Sequence, residues 1–132
     1  MKVIIKKFKI YSDHTGSLVP FYKKKSFNNF QIIRFFFIYG KKNKQRADHA
    51  HKKCNQIYIP IAGDAHIEIT STKNKIKKVL LSEKNKKFLI IPKMHWIKIK
   101  FKKNSSLLVL CDYKYDKKEY IQNFEEFLNY EV

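Results

Sequence analysis

Short runs of strictly alternating apolar and polar residues constrain this chain more than any other feature. Ala65, Ile67 and Ile69 alternate with His66, Glu68 and Thr70, and Ile97, Ile99 and Phe101 alternate with Lys98, Lys100 and Lys102. A β-strand sends successive side chains to opposite faces, so each run has one dry face and one wet face. β-Branched and aromatic residues also crowd Val3 to Ile10, Gln31 to Tyr39, Gln56 to Ile61, Lys87 to Ile91 and Ser106 to Cys111, the composition of strands. Gly63-Asp64 and Thr72-Lys73-Asn74-Lys75 carry turn chemistry, and Pro60 inside an apolar run marks an edge or a bulge. The period changes near the end. Tyr120, Phe124, Phe127 and Leu128 fall at helical spacing, with Asp116 and Glu119 as the N-terminal cap. The pattern predicts an all-β sandwich or barrel of many short strands, closed by one C-terminal helix that serves packing or dimer contact.

The 132 residues are 44% hydrophobic and 15% aromatic, which suits one domain over 1–132 with a real core and excludes a disordered chain. Three glycines and three prolines leave little room for a flexible linker. Met1 to Ile10 lacks a continuous signal-peptide core, and no segment approaches the roughly 20 apolar residues of a membrane span. Cys54 and Cys111 are the only cysteines and do not form a disulfide framework. A cytoplasmic location and no membrane partner are therefore expected. Cys54 lies near the histidines, but buried strand packing is favoured over a nucleophilic role.

The net charge of +18 suggests nucleic acid less than it first implies. Only Arg34 and Arg46 are arginine among the 29 basic residues, whereas proteins that read bases favour arginine for its bidentate geometry. Lysine, asparagine, isoleucine, phenylalanine and tyrosine share A/T-rich codons, so base composition accounts for much of the charge. The runs Lys23-Lys24-Lys25, Lys41-Lys42 and Lys102-Lys103 read as solvated loops. No nucleic-acid partner is expected; an attraction for small anions, including a nucleotide diphosphate, remains.

The five histidines separate by context. His14 lies in the turn Ser12-Asp13-His14-Thr15-Gly16 and reads as solvated, and His66 falls on the wet face of its strand. His95, between Met94 and Trp96, reads as packed before reactive. His49 and His51 differ, because Arg46-Ala47-Asp48-His49-Ala50-His51-Lys52 places two imidazoles on one face of a strand. Such a pair offers either two proton-transfer groups near neutral pH or two metal ligands. A catalytic metal usually takes three or more protein ligands, and Asp48 projects to the opposite face.

His-x-His, then Gln56 after four residues and Gly63 after six more, resembles the first cupin motif. Metal-binding cupins place glutamate where this chain has Gln56, a poor ligand, and the second motif is not cleanly present around Pro92 and His95. The resemblance is thus to a cupin without a metal or other cofactor. More narrowly, the chain resembles the sugar-nucleotide 3,4-ketoisomerases that act on dTDP-4-keto-6-deoxyglucose. The shared marks are Gly16-Ser17-Leu18-Val19, Arg34 before an aromatic run, Arg46 through Lys52, Gln56, Gly63, Pro92, Val109-Leu110, and Tyr115-Asp116 followed by Tyr120-Ile121. It departs from them in carrying Phe35, Phe36 and Phe37 where a tyrosine is expected, Thr15 where arginine is frequent, and His95 before Trp96 rather than after it. These departures leave the hydroxyl partner and the C4 stereochemistry of the product open.

The resemblance implies a cupin-type β-sandwich or jelly roll with a short C-terminal helix. It implies a cofactor-independent isomerase that moves the carbonyl from C4 to C3 through an enediol. His49 is expected as the carbon base and His51 as the shuttle among the oxygens, the pair being implied more firmly than the division. Arg46 and Lys52 would bind the pyrophosphate or polarise the enediolate. Tyr39, Gln56 and His95 complete the expected substrate-binding set. A homodimer, often with an exchanged N-terminal strand, and a downstream aminotransferase making 3-amino-3,6-dideoxyhexoses for surface glycans are the implied partners. The alternatives are a 3,5-epimerase of the same sugar nucleotide, a metal-dependent cupin, and a non-catalytic sugar-nucleotide or nucleic-acid binding module.

Overall fold

The computed structural model describes residues 2–22 and 30–130; the lysine run Lys23-Lys24-Lys25 lies outside the described residues. The strands are β1 (Ile4–Lys7), β2 (Tyr11–Asp13), β3 (Gly16–Leu18), β4 (Arg34–Gly40), β5 (Lys44–His51), β6 (Gln56–Ala62), β7 (Asp64–Ser71), β8 (Ile76–Ser82), β9 (Lys87–Ile91), β10 (His95–Phe101), β11 (Ser105–Cys111) and β12 (Tyr120–Ile121), with one short helix, α1 (Phe124–Leu128). They form two antiparallel five-stranded sheets, in the orders β1-β9-β6-β11-β4 and β12-β5-β10-β7-β8, beside a separate β2-β3 hairpin. This is the cupin-like sandwich the sequence predicts.

The inner faces bury a common core. Tyr58, Leu89, Leu107 and Val109 from the first sheet meet Ile67, Ile69, Leu81, Ile97 and Ile99 from the second. Apolar burial at about 25 cal/mol per Å2 drives this closure. The β7–β10 register sets Ile67 opposite Ile99 and Glu68 opposite Lys98, so the alternation seen in the sequence becomes one dry and one wet sheet face. The Pro60 signal resolves as a bulge, because the β6–β11 register slips between Ser106 and Leu107, next to Pro60.

Three expectations change. Ile76–Ser82 is an edge strand that sequence patterning does not mark. Only its inner residues Val79, Leu81 and Ser82 are buried, while Ile76, Lys77, Lys78 and Leu80 face water. The Tyr11–Asp13 and Gly16–Leu18 arms around the expected turn pair as a hairpin.

The short C-terminal helix is present, and where it starts is the largest correction. Asp116 caps only one 3-10 turn, Lys117–Glu119, accepting from the Lys118 amide. Tyr120–Ile121 then pairs with β5, Tyr120 opposite His51, and the helix begins after a second cap at Asn123. Tyr120 satisfies its backbone better on the open edge of β5 than in a helix too short to be stable alone. The helix itself does pack, setting Phe127 against Trp96 and Ile121 on the outer face of the second sheet. The segment before it goes to the site.

Candidate active site

β5 carries the site and is not a regular strand. His49 lies opposite Ile97 and Arg46 opposite Ile99, with a register break between Ile97 and Lys98. Ile97 and Ile99 point into the core, so His49 and Arg46 face inward together. They are three positions apart, and strict alternation would place them on opposite faces. Ala47 and Asp48 absorb the odd residue as a bulge, at φ 70° and 72°. Each is a left-handed conformation that costs a non-glycine residue about 1–2 kcal/mol. Asp48 is turned outward, where it accepts a hydrogen bond from the Trp96 indole at 3.0 Å.

Between the sheets opens a cavity of about 210 Å3, lined by Arg46, His49, His51, Gln56, Tyr58 and Tyr120 together with Phe36 to Ile38. It is smaller than ligand pockets of about 300–1,000 Å3, a size for a sugar ring rather than a whole nucleotide. The imidazoles of His49 and His51 meet edge to face at 4.9 Å. The Tyr120 ring lies 5.0 Å from His49 and 4.4 Å from His51. His51 is 2% exposed, its Nδ1 stands 2.5 Å from the Glu119 carboxylate, and its Nε2 is buried with no hydrogen-bond partner among the described residues.

Burial, and then the neighbouring His51, push His49 down from 6.5 to about 4, so it is a neutral imidazole at physiological pH. Burial also pushes the Tyr120 phenol up, opposed by the Arg34 guanidinium beside it, which keeps a proton on its oxygen. Arg34 is itself fixed, donating from Nε to the Tyr113 carbonyl at 3.1 Å and lying over the rings of Phe36 and Tyr115. The second sheet thus brings two imidazoles, a phenol and the Arg46 guanidinium to one cavity, with Arg34 of the first sheet beside the phenol.

Gln56 belongs to the cavity wall, and its amide is committed to the scaffold. Its oxygen accepts from the Tyr58 hydroxyl at 3.0 Å and its nitrogen reaches the Cys111 sulfur at 3.5 Å. Among the described residues no cluster of three or more His, Cys, Asp or Glu is gathered to hold a metal. Cys54 and Cys111 are both buried, and the hydrogen bond with Cys111, with burial, pushes the Cys54 thiol up. That suits the packing role read for Cys54 and not nucleophilic attack.

The structure brings Arg46, His49, His51 and Gln56 together and leaves three expected residues outside. Tyr39 is 74% exposed and continues an outward row with Phe35 and Phe37 on the edge strand β4, because an odd position of that strand faces away from the core. Lys52 follows the last residue of β5 and turns its ammonium to the Lys118 carbonyl and the Tyr130 ring. His95 holds its Nδ1 against the Pro92 and Lys93 carbonyls, at 3.1 and 3.2 Å, beyond the cavity lining. Sequence reasoning missed Glu119 as a partner of His51 and Tyr120 as cavity wall. Asp116 and Glu119 look like a helix cap, and nothing local to them points to β5.

A larger groove of about 560 Å3 crosses the outer face of the second sheet, lined by Lys78, Lys98, Lys100 and Lys102 with His66 and Glu68. Its one imidazole, His66, stands among lysines, whereas the smaller cavity holds the paired imidazoles of His49 and His51.

Comparison with known proteins agrees with this geometry. Residues 1–132 match the family described as FdtA, WxcM-like, C-terminal. TDP-4-oxo-6-deoxy-alpha-D-glucose-3,4-oxoisomerase of Aneurinibacillus thermoaerophilus is 28% identical over 124 residues, which are 93% of this chain and 88% of that protein. A 3,4-ketoisomerase from Helicobacter canadensis is 32% identical over 97% of this chain and 96% of its own, with a TM-score of 0.86. The sugar 3,4-ketoisomerase QdtA of Thermoanaerobacterium thermosaccharolyticum, solved with TDP, is 29% identical over 96% of this chain and 92% of its own, with a TM-score of 0.84.

Proposed function

The chain belongs to the FdtA, WxcM-like, C-terminal family, and on that premise we propose that it is a sugar-nucleotide 3,4-ketoisomerase acting on dTDP-4-keto-6-deoxyglucose. It moves the carbonyl from C4 to C3 with no net oxidation. One observation carries the reading: a buried imidazole nitrogen, His51 Nε2, has no hydrogen-bond partner among the described residues in a cavity it shares with His49, Tyr120 and Arg46. A buried, unpaired polar nitrogen costs about 1–3 kcal/mol, a cost that substrate offsets.

The reaction balances on these groups. The C4 ketone acidifies the C3 proton, and His51 Nε2 takes it. The C3–H electron pair becomes the C3=C4 double bond as the Tyr120 phenol protonates O4, giving the enediol. His49, neutral, accepts the O3 proton while the imidazolium of His51 returns its proton to C4, leaving the 3-keto sugar. Tyr120 recovers its proton from His49, whose ring lies beside its own, directly or through water, and the site is reset. This reverses the division expected from the resemblance, because His51 is the more deeply buried imidazole and its Nε2 is buried with no hydrogen-bond partner among the described residues. Tyr120 fills the place of the tyrosine missing from Phe35 to Phe37. Arg46, exposed at the cavity mouth, binds the pyrophosphate.

The working form is a homodimer. Edge strand β4 presents Phe35 and Phe37, 60% and 50% exposed, an apolar row that a second copy would cover. The product ketone suits an aminotransferase as the next enzyme. No helix among the described residues is long and apolar enough to cross a membrane, and a cytoplasmic site of action fits a nucleotide-sugar substrate.

The test is to incubate the protein with dTDP-4-keto-6-deoxyglucose in deuterated water and follow the sugar by NMR. A 3-keto product with deuterium at C3 or C4 is expected. Exchange at C3 and C5 with the ketone still at C4 makes the protein an epimerase, and no exchange with no product ends the enzymatic reading.

A further inference from the structure

We propose that Glu119 is a positioning residue that locks the His51 proton on Nδ1, so that the Nε2 lone pair faces the cavity as the base. This rests on the ketoisomerase reading and supplies it with a device no segment near the histidines contains. Glu119 stands 68 residues from His51 in sequence, and both residues are 2% exposed.

The carboxylate is built to stay ionised. Its Oε1 accepts from the Lys53 and Cys54 amides, both at 3.1 Å, and its Oε2 faces His51 Nδ1. Burial pushes the Glu119 carboxyl up, but the hydrogen bond and charge of His51, with the two amides, outweigh it and hold it below the usual range. An ionised carboxylate can only accept. The nitrogen facing it therefore carries the hydrogen, and in a neutral imidazole the other nitrogen is then a bare acceptor. That other nitrogen is the buried Nε2, which has no hydrogen-bond partner among the described residues.

The backbone holds the carboxylate in place from both sides. The Lys52 amide donates to the Glu119 carbonyl at 2.7 Å and the Glu119 amide to the Asp116 carbonyl at 3.1 Å. Tyr120, the next residue, pairs in register with His51. The 3-10 turn and β12 thus deliver Glu119 beneath His51 and Tyr120 beside it as one unit. A purely structural Glu119 would serve only the Lys53 and Cys54 amides.

Glu119→Gln separates the two roles. The amide oxygen still accepts from Lys53 and Cys54, while the NH2 donates to His51 Nδ1 and drives the imidazole proton to Nε2. We expect kcat to fall about 10²–10⁴-fold, KM to change less than about threefold and the melting temperature to hold. Glu119→Asp, which keeps the charge, should recover part of the loss. Nitrogen-15 NMR of the ring is the readout independent of turnover: wild type should show the Nδ1–H tautomer of His51 and Glu119→Gln the Nε2–H tautomer. An Nε2–H tautomer in wild type overturns the proposal, as does near-normal kcat in a folded Glu119→Gln protein. If the variant does not fold, the wild-type tautomer alone decides. A protein with the Nδ1–H tautomer but no isomerase activity would keep the positioning role and refute the ketoisomerase reading.

Discussion

Strands β10 and β5 lie side by side in one sheet and obey different rules. β10 alternates without a fault, Ile97, Ile99 and Phe101 buried in the core and Lys98 and Lys100 on the outer groove. β5 breaks its alternation at Ala47 and Asp48, where two non-glycine residues take left-handed conformations. The regular strand builds the wall. The irregular one aims Arg46, His49 and His51 into the cavity, and its strain is stored where the fold least needs it. A backbone that departs from the simplest pattern against its own conformational preference is here the mark of the site.

Mutations can break that contrast at several depths. The largest effect is expected at the inner face of β5: His51→Asn should lower kcat about 10²–10⁴-fold while the circular dichroism spectrum stays that of the wild type. A variant retaining more than about a tenth of wild-type kcat would remove His51 from the chemistry. His49→Asn should also be severely impaired, because the oxygen-side proton transfers would lose their acceptor.

Acid tests the same face through stability. His49 binds its proton more weakly folded, about 4, than unfolded, near 6.5, so acid favours the unfolded chain. Its contribution is complete above about pH 6.5 and is lost as pH falls towards 4, a difference of about 3 kcal/mol at the limit. Thermal melts from pH 7 to 4.5 should show a steeper loss in wild type than in His49→Asn. Parallel curves would mean that His49 titrates normally.

At the mouth of the cavity, Arg46→Ala should reduce kcat/KM about tenfold to a hundredfold, mostly through KM, in steady-state assays with the nucleotide sugar. An unchanged KM would place the pyrophosphate elsewhere. The bulge itself should yield a small gain: Ala47→Gly relieves a left-handed residue and raises stability by about 0.5 kcal/mol in denaturant melts. On the regular strand, Lys98→Ala should leave kcat unchanged and shift stability by no more than about 0.5 kcal/mol; a larger change in turnover would give the outer groove a part in the reaction.

Much of the sandwich is legible in the sequence because burial writes itself as alternation wherever one face is wet. β7 and β10 form where that alternation sets them, and β9 where its apolar composition does. β8 escapes because it lies at an edge and its inner row is only Val79, Leu81 and Ser82. The C-terminal segment misleads for a different reason: Tyr120, Phe124, Phe127 and Leu128 do sit at helical spacing, but the edge of β5 competes for Tyr120, and a local pattern carries no information about that edge. The cavity residues Arg46, His49, His51 and Gln56 are legible because they cluster within eleven residues of chain. Tyr39, Lys52 and His95 lie outside the lining of this cavity because their side chains follow the strand ends, whose direction depends on packing.

The sequence by itself determined most of the core strands, the paired imidazoles and the family, since alternation, spacing and motif are properties of neighbours along the chain. Tertiary structure alone decided that Ala47 and Asp48 bulge so that Arg46 joins the histidines. It also decided that Glu119 and Tyr120, 68 and 69 positions beyond His51, arrive beneath and beside it. The reason is physical: a proton acceptor works only when its lone pair, its tautomer and its burial are set together, and those are fixed by whatever the closed sheet brings into contact.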